Sequence, residues 1–234
     1  MKILCAIVTY NREKLLKRCL INVLDQIKKP NKIIIINNGD IKTINNFIEK
    51  NKIEIINQKN VGSAGGWNKA INYALNNNFD FIWLMDDDGY PEINSLKILS
   101  ENFDINFSCL SSVVINENNF NQFVFPMPYI DKFNNPILFN FKKKIKYIDK
   151  LIQYKKSNLF AFAHLFNGAL INIKAIKKIG NVNLEYFMYG DEVDYYHRLR
   201  DYGPIYSHLK SIHYHPDLNK RKLSNSAIYY YIKN

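Results

Sequence analysis

Phe79-Asp80-Phe81-Ile82-Trp83-Leu84-Met85-Asp86-Asp87-Asp88 is an apolar run that ends abruptly in three carboxylates. A near-continuous apolar strand suits a parallel sheet covered on both faces, and such sheets bind ligands at their carboxyl edge. Alternate side chains of an extended chain share a face, so Asp86 and Asp88 converge on one point while Asp87 looks elsewhere. Adjacent carboxylates repel each other and lose hydration at a sheet end, which makes the triplet unfavourable unless a cation is bound. One or two carboxylates plus substrate phosphates describe a Mg²⁺ or Mn²⁺ site. The plain alternative is a solvated acidic turn closed by Gly89 and Pro91.

The same pattern repeats upstream. Strand-like segments at Ile3–Val8, Lys32–Ile36 and Ile53–Ile56 precede Phe79–Met85, and helical periodicity falls between them. It is carried by Leu16, Cys19, Leu20 and Val23, then Ile44, Phe47 and Ile48, then Trp67, Ile71 and Ala74. This β-α-β-α-β-α-β order predicts a Rossmann-like, three-layer α/β/α domain with a mostly parallel central sheet. Its ligand edge collects Thr9–Arg12, Asn37–Asp40, Asn57–Gly66 and Asp86–Asp88. Downstream the pattern is less regular. Strands are expected around Phe107–Ile115, His164–Ile173 and Lys210–His215, a helix from about Glu192 to Tyr202, and an excursion over the ligand edge at Phe120–Lys156. No linker interrupts the chain, so one domain is expected over residues 1–234.

With 234 residues, 47% hydrophobic and 23% charged, the chain is a folded globular protein and not a disordered or repetitive one. No apolar run approaches the roughly 20 residues that span a bilayer. The opening Met1–Val8 reads as a buried strand, not a secretion signal. Cys5, Cys19 and Cys109 are too few and too scattered for a disulfide framework, which points to a reducing compartment and the cytoplasm. The net charge of +11 lies almost wholly in the second half, where residues 131–234 hold 18 Lys and Arg against 8 Asp and Glu. Lys142, Lys143, Lys144, Lys146, Lys150, Lys155 and Lys156 are interleaved with Phe141, Ile145, Tyr147, Ile148, Leu151, Ile152 and Tyr154. That segment faces anionic lipid or a phosphate-bearing ligand, or is a solvated basic surface.

Three further stretches carry chemistry. Asn57-Gln58-Lys59-Asn60-Val61-Gly62-Ser63-Ala64-Gly65-Gly66 leads into a helix expected near Trp67, and a glycine-rich turn at a helix amino terminus suits anions. In Tyr189-Gly190-Asp191-Glu192-Val193-Asp194, Asp191 is the expected N-cap, with Asp194 completing a capping box and pairing with Arg198. Glu192 is left without a structural task and is free to act as a base on an attacking hydroxyl. His213 and His215 stand at strand spacing and either could be a metal ligand, whereas His164, His197 and His208 read as structural.

Ile7-Val8-Thr9-Tyr10-Asn11-Arg12, Asn37-Asn38-Gly39-Asp40, Asn60–Gly66, Trp83–Asp88, Phe166-Asn167-Gly168-Ala169, Tyr189–Asp194 and Tyr214-His215 follow one another in this order. Together they resemble the inverting family-2 glycosyltransferases of the GT-A fold, over the whole of residues 1–234. The Leu-Met-Asp-Asp-Asp form and the late Tyr-His are similar to the galactofuranosyl- and rhamnosyltransferase branch. The resemblance implies a nucleotide-sugar-binding half at 1–115 and an acceptor-binding half at 116–234. It places Thr9, Tyr10, Arg12, Asn38 and Asp40 around the nucleotide, and Gly65, Gly66 and Asn68 by the donor diphosphate and sugar. It adds Asp86 and Asp87 to the donor contacts, and Asp86 and Asp88 with His215 or His213 to a Mn²⁺ or Mg²⁺ site. The family usually reads Glu-Asp where this chain reads Asp191-Glu192, so the base position falls on Glu192, with Asp191 the alternative.

The implied reaction moves a sugar from a nucleoside-diphosphate donor, of the UDP-galactofuranose or dTDP-rhamnose kind, to a hydroxyl of a glycan or lipid-diphosphate-linked glycan. Surface-polysaccharide synthesis at the inner face of the cytoplasmic membrane, with peripheral contact through 141–156, is the implied setting. Chains of this kind commonly continue past Tyr229-Tyr230-Tyr231-Ile232-Lys233-Asn234, where this sequence ends. Three rivals remain. A nucleic-acid-binding protein fits the basic charge but leaves the acidic triplet unexplained, so no nucleic-acid partner is expected. A sugar nucleotidyltransferase would need a glycine-rich basic loop after the first strand, where Thr9-Tyr10-Asn11-Arg12 has no glycine. A non-catalytic nucleotide-sugar binder differs only in turnover.

Overall fold

The computed structural model describes residues 1–137, 144–154, 157–217 and 225–234. Its strands are β1 (Ile3–Thr9), β2 (Lys32–Asn37), β3 (Glu54–Asn57), β4 (Phe81–Asp86), β5 (Tyr90–Pro91), β6 (Cys109–Asn116), β7 (Asn119–Met127), β8 (Ile145–Tyr147), β9 (Leu159–Phe160), β10 (Asn167–Asn172) and β11 (Ile205–His215). Its helices are α1 (Glu13–Leu24), α2 (Asn45–Lys50), α3 (Gly62–Asn76), α4 (Ser95–Glu101), α5 (Ile148–Tyr154), α6 (Ile173–Ile179), α7 (Asp191–Tyr202) and α8 (Asn225–Lys233).

The central sheet runs β3-β2-β1-β4-β10-β6-β11-β5. The first four strands of that order are parallel, β10 is antiparallel to both of its neighbours, and β11 runs parallel to β6. Register places Thr9 beside Asn37, Asn37 beside Asn57 and Val8 beside Asp86, so the ends of four strands lie along one edge.

The two-residue alternation of strands divides the core. Ile3, Cys5 and Ile7 of β1 and Phe81, Trp83 and Met85 of β4 pack against Leu16, Cys19 and Leu20 of α1 and Leu96 and Leu99 of α4. Leu4, Ala6, Val8, Ile82 and Leu84 face the opposite layer, built from Ala64, Trp67, Ala70 and Ile71 of α3 and Tyr195 and Leu199 of α7. The result is the expected α/β/α arrangement. A third cluster, with Val113, Ile115, Phe123, Met127, Ile145 and Leu151, lies under β7, β8 and α5. The expected excursion at Phe120–Lys156 is therefore in part a strand pair and a helix with a core of their own, and Phe141, Lys142, Lys143, Lys155 and Lys156 lie outside the described residues.

Two expected boundaries differ by five residues. β11 starts at Ile205, well before Lys210, because Ser207, His208 and Ser211 are buried polar residues that hide the apolar strand pattern. α3 starts at Gly62 and not near Trp67, so Gly65 and Gly66 lie inside the helix. Their missing side chains serve close packing: a Cβ on Gly66 would stand 2.5 Å from Val8 Cγ1, and one on Gly65 would press on Val61 Cγ2. Gly66 thus lets α3 settle onto β1.

We expect Gly66→Ala to destabilise the fold. Overpacking against the stiff, β-branched Val8 costs about 1–3 kcal/mol, and better helix propensity returns up to about 1. Chemical denaturation should show a net loss of about 1–2 kcal/mol, and an unchanged or higher midpoint would contradict the packing role.

Candidate active site

At the end of β4 the three acidic side chains have separate surroundings. Asp87 is fully buried and turns inward, where Thr9 Oγ1 donates to it at 2.5 Å and Arg12 Nε at 3.2 Å, with a second Arg12 nitrogen on its other oxygen. Arg12 Nη1 also reaches Asp88 Oδ2 at 2.5 Å. One planar guanidinium therefore spans two carboxylates and holds Asp87 through two nitrogens, a forked geometry that a lysine ammonium lacks. Burial pushes the Asp87 carboxyl up to about 6, while Arg12 and Thr9 pull it back. Burial also opposes the Arg12 charge, yet Asp87, Asp88 and Asp86 together raise its pKa.

Asp88 Oδ1 lies 3.3 Å from His215 Nε2. Topology explains this meeting: β5 follows the triplet directly and pairs with β11, setting Tyr90 opposite Tyr214 and Pro91 opposite His213. His215 Nδ1 is engaged by the Pro216 carbonyl at 2.7 Å. His213 is fully buried against Gly89 and Gly168, and among the described residues neither of its ring nitrogens finds a hydrogen-bond partner. Burial first, then the neighbouring His215, pushes its pKa down to about 3. Of the two imidazoles it is His215 that meets the triplet.

Asp86 is the acid whose charged form is least supported. Burial and then Asp88 raise its pKa well above the carboxylate range, Arg12 opposes them, and Asp87 and Asp191 raise it further. Asp191 belongs to the first turn of α7, so the tip of β4 and the start of α7 lie close together. Gly190, with φ of 81°, is the N-cap of α7 and no side chain caps it, which corrects the expected role of Asp191. Asp191 is instead buried and accepts from Ser63 Oγ at 3.2 Å, while Asp194 pairs with Arg198 at 2.5 Å.

Glu192 is partly exposed on the same turn, but its Oε1 is shut off from solvent, and that burial followed by the charge of Asp191 pushes its carboxyl up to about 8. Its Oε1 lies 4.0 Å from His164 Nδ1. The His164 ring is held between Phe125 and Phe162, with centroids at 5.1 and 5.0 Å, and Phe125 also reaches His215 at 5.6 Å. Burial pushes His164 down to about 4, so it is neutral at physiological pH. Sequence reasoning had left His164 as structural, since a lone imidazole carries no spacing signal. Ser63, hidden among small residues, was likewise missed. Below the crevice Trp67 stacks on Phe166 at 4.5 Å, and Phe166 holds a φ of 63° while its carbonyl accepts from the Asp86 N–H at 2.9 Å.

The remaining expected residues are more dispersed. Asn38 donates to the Gly62 carbonyl at 3.0 Å and accepts from Gln58 at 2.7 Å, which ties β2 to α3. Tyr10 and Asp40 are exposed at the sheet edge, where Asn11 Oδ1 accepts from the Asp40 N–H at 2.9 Å. Asn68 donates to the Val182 carbonyl at 2.8 Å, a brace between α3 and the loop after α6. The amino end of α3 is partly occupied, because the Ala64 N–H reaches the Phe187 carbonyl at 3.4 Å.

Among the described residues, no three His, Cys, Asp or Glu side chains are already gathered as a metal cage. The donor set nevertheless fits a divalent cation that draws its other oxygens from substrate: Asp86 is crowded by like charges, and Asp88 stands beside the imidazole of His215.

The glycosyl transferase family 2 model matches residues 5–169. The chain belongs to that family. This family-2 glycosyltransferase is 27% identical over 226 residues to galactofuranosyltransferase GlfT1 of Mycolicibacterium smegmatis, covering 92% of this chain and 71% of that one. Among solved structures, GalNAc-T7 with UDP, GalNAc and Mn²⁺ superposes with a TM-score of 0.68 at 13% identity, over 100% of this chain and 47% of that chain. TarS of S. aureus does so with 0.64 at 16% identity, over 92% of this chain and 37% of that chain. The fold is GT-A. Among the described residues no helix is long and apolar enough to cross a membrane.

Replacing Arg12 by Ala leaves Asp87 buried without its counter-charge. We expect a loss of about 3 kcal/mol in a denaturant titration, the low end for breaking a buried pair, because Arg12 itself is partly exposed. Asp87→Asn added to Arg12→Ala should recover part of it, and a double variant no better than the single would refute the charge explanation.

Proposed function

We propose that this glycosyltransferase moves a sugar, with inversion at the anomeric carbon, from a nucleoside-diphosphate donor of the UDP-galactofuranose or dTDP-rhamnose kind. The acceptor is a hydroxyl of a glycan or lipid-diphosphate-linked glycan, and the setting is surface-polysaccharide synthesis on the cytoplasmic side of the membrane. The observation that supports this reading is the closeness of the β4 tip to α7: the Asp86 N–H donates to the Phe166 carbonyl, the Phe166 ring stacks on Tyr195 of α7 at 6.2 Å, and Asp86 feels the charge of Asp191 in the first turn of that helix. The named galactofuranosyltransferase relative supports the sugar class.

Residues 1–115 supply the donor side. Thr9, Tyr10, Arg12, Asn38 and Asp40 lie along the strand ends at the nucleotide, and Gly65 and Gly66 bring α3 close beneath the diphosphate. Asp86 and Asp88, with His215, would hold Mn²⁺ or Mg²⁺, which when bound supplies positive charge for the leaving diphosphate. Residues 116–234 supply the acceptor side. Glu192 accepts the proton of the acceptor hydroxyl, the freed oxygen bonds to the anomeric carbon, and the bond to the diphosphate breaks with its electron pair leaving on the nucleotide. Asp191, held by Ser63, keeps the first turn of α7 in place.

A base raised to about 8 is protonated over most of the neutral range, so the rate should climb with pH and level off above about 8. Glu192→Gln should lose about 10²- to 10⁴-fold in kcat. The sign for stability follows from the same group. A carboxyl whose folded pKa lies above its unfolded value near 4.5 gives stability below that value and loses it as pH rises through about 8. Thermal melts of Glu192→Gln should therefore overtake the parent at pH 8 to 9 and converge with it near pH 4. Parallel curves would show that Glu192 titrates normally.

Thermal-shift assays with UDP-galactofuranose, dTDP-rhamnose, UDP and dTDP, each with and without Mn²⁺, test the donor assignment. Ligand at about 100 times its Kd adds about 2.7 kcal/mol, or roughly 5–10 °C for a chain of this size. The rise should need Mn²⁺ and vanish in Asp86→Ala. A parent indifferent to all four ligands in both conditions would sink the donor assignment.

A further inference from the structure

Lys144, Lys146 and Lys150 line a cleft of about 370 Å³ together with Tyr129, Tyr147 and Tyr154. Lys144, just before β8, and Lys146 within it flank Ile145 and reach the same cleft, while Ile145 between them is buried in the third core cluster. Helix α5 follows at once and is anchored by the buried Leu151, which brings Lys150 to the same cleft. The aromatic wall is fixed in place: the Tyr154 hydroxyl donates to the Ile130 carbonyl at 3.0 Å, and its ring meets Tyr129 edge-on at 5.4 Å.

Among the described residues no acidic side chain lines this cleft. The neighbouring acid, Asp149, turns its carboxylate onto the Lys150 N–H at 2.7 Å. Like charges gathered between low-dielectric aromatic walls repel one another and focus a positive field. A scattered lysine surface has no such walls. Phosphoryl oxygens fit this arrangement, since each ammonium offers a strong, freely oriented donor and the rings offer apolar surface to whatever the phosphate is attached to. The cleft lies within electrostatic reach of the base: the charge of Lys144 acts on His164, which lies 4.0 Å from Glu192.

We propose that this cleft is a second phosphoryl-binding site, separate from the donor diphosphate at Asp86 and Asp88, and that it seats a phosphate or diphosphate carried by the acceptor while the acceptor hydroxyl lies at Glu192. The acceptor part of this statement rests on the reading of Glu192 as base; the anion site itself does not.

Calorimetric titration of the full chain with inorganic pyrophosphate in EDTA tests it, because chelation removes the cation that binding at Asp86 and Asp88 would need. Saturable binding is expected that weakens with salt, falls at least tenfold in Lys144→Ala/Lys146→Ala/Lys150→Ala, and is unchanged in Asp86→Ala. Thermal melting confirms that the triple variant, altered only at exposed side chains, is folded. No binding by the parent, or binding that survives the triple substitution, overturns the site. Sedimentation with phosphatidylglycerol vesicles separates the sources: vesicle binding that needs the lysines, without any pyrophosphate binding, would assign them to a lipid surface and also overturn it. Should the Mn²⁺-dependent nucleotide shift fail while pyrophosphate behaves as expected, the donor reading falls and this site stands.

Discussion

The contact between the Arg12 guanidinium and the carboxylates of Asp87 and Asp88 is what allows three consecutive acids to end a buried strand. Without it the sheet edge would hold mutually repelling charges in a site poor in water, and the acids would protonate or the strand end would move. With it the triplet divides. Asp87 becomes an internal anchor for Arg12 and Thr9, Asp88 is aimed at His215, and Asp86 is left where its charged form is disfavoured and a cation would stabilise it. Arg12 follows β1 and the acids follow β4, so the contact also locks together the strands whose ends form the crevice. The edge is stable because one acid is neutralised internally, and reactive because another is not.

Much of this was legible in the sequence because the first half obeys two simple periods. Strands buried on both faces are apolar throughout, helices carry their apolar residues every three or four positions, and together they gave the layer order and the ligand edge. Asp86 and Asp88 could be singled out because strand alternation separates them from Asp87. What stayed hidden was set by contacts distant in sequence. The glycines of α3 disguise its first turn as a loop, and only the approach of Phe187, Val61 and Val8 to Gly62, Gly65 and Gly66 explains them. The buried serines of β11 interrupt its apolar pattern because they bond across the sheet, as Ser211 does with Ser112 at 2.8 Å. His164 becomes notable only when β10, inserted antiparallel beside β4, carries the preceding loop to Glu192.

Asp191 shows how local and global demands can exchange residues. A carboxylate after a glycine at a helix start is a natural N-cap by propensity. Here the glycine takes the cap position with a positive φ that suits it, and the carboxylate moves one place into the helix. That shift turns Asp191 towards Ser63 and the triplet as well as onto amides of its own turn, and it sets Glu192 about 100° further round, towards the loop that carries His164.

The two neighbouring acids of α7 are thereby placed in different environments, which is how one type of side chain can serve two purposes. Asp191 is buried, but it accepts from Ser63 and from amides of its own helix turn, so part of the burial penalty on its charge is offset. Glu192 meets solvent more freely but receives less: an imidazole held neutral, a single helpful backbone amide at Leu165, and the repulsion of Asp191. In the proposed reaction that difference decides which acid moves a proton. A well-held carboxylate is a poor base because its hydrogen bonds must be broken first, whereas one raised towards neutrality and facing the crevice gains when a hydroxyl proton arrives. The weak support around Glu192, set against the good support around Asp191, is therefore the stronger reason to assign it the base.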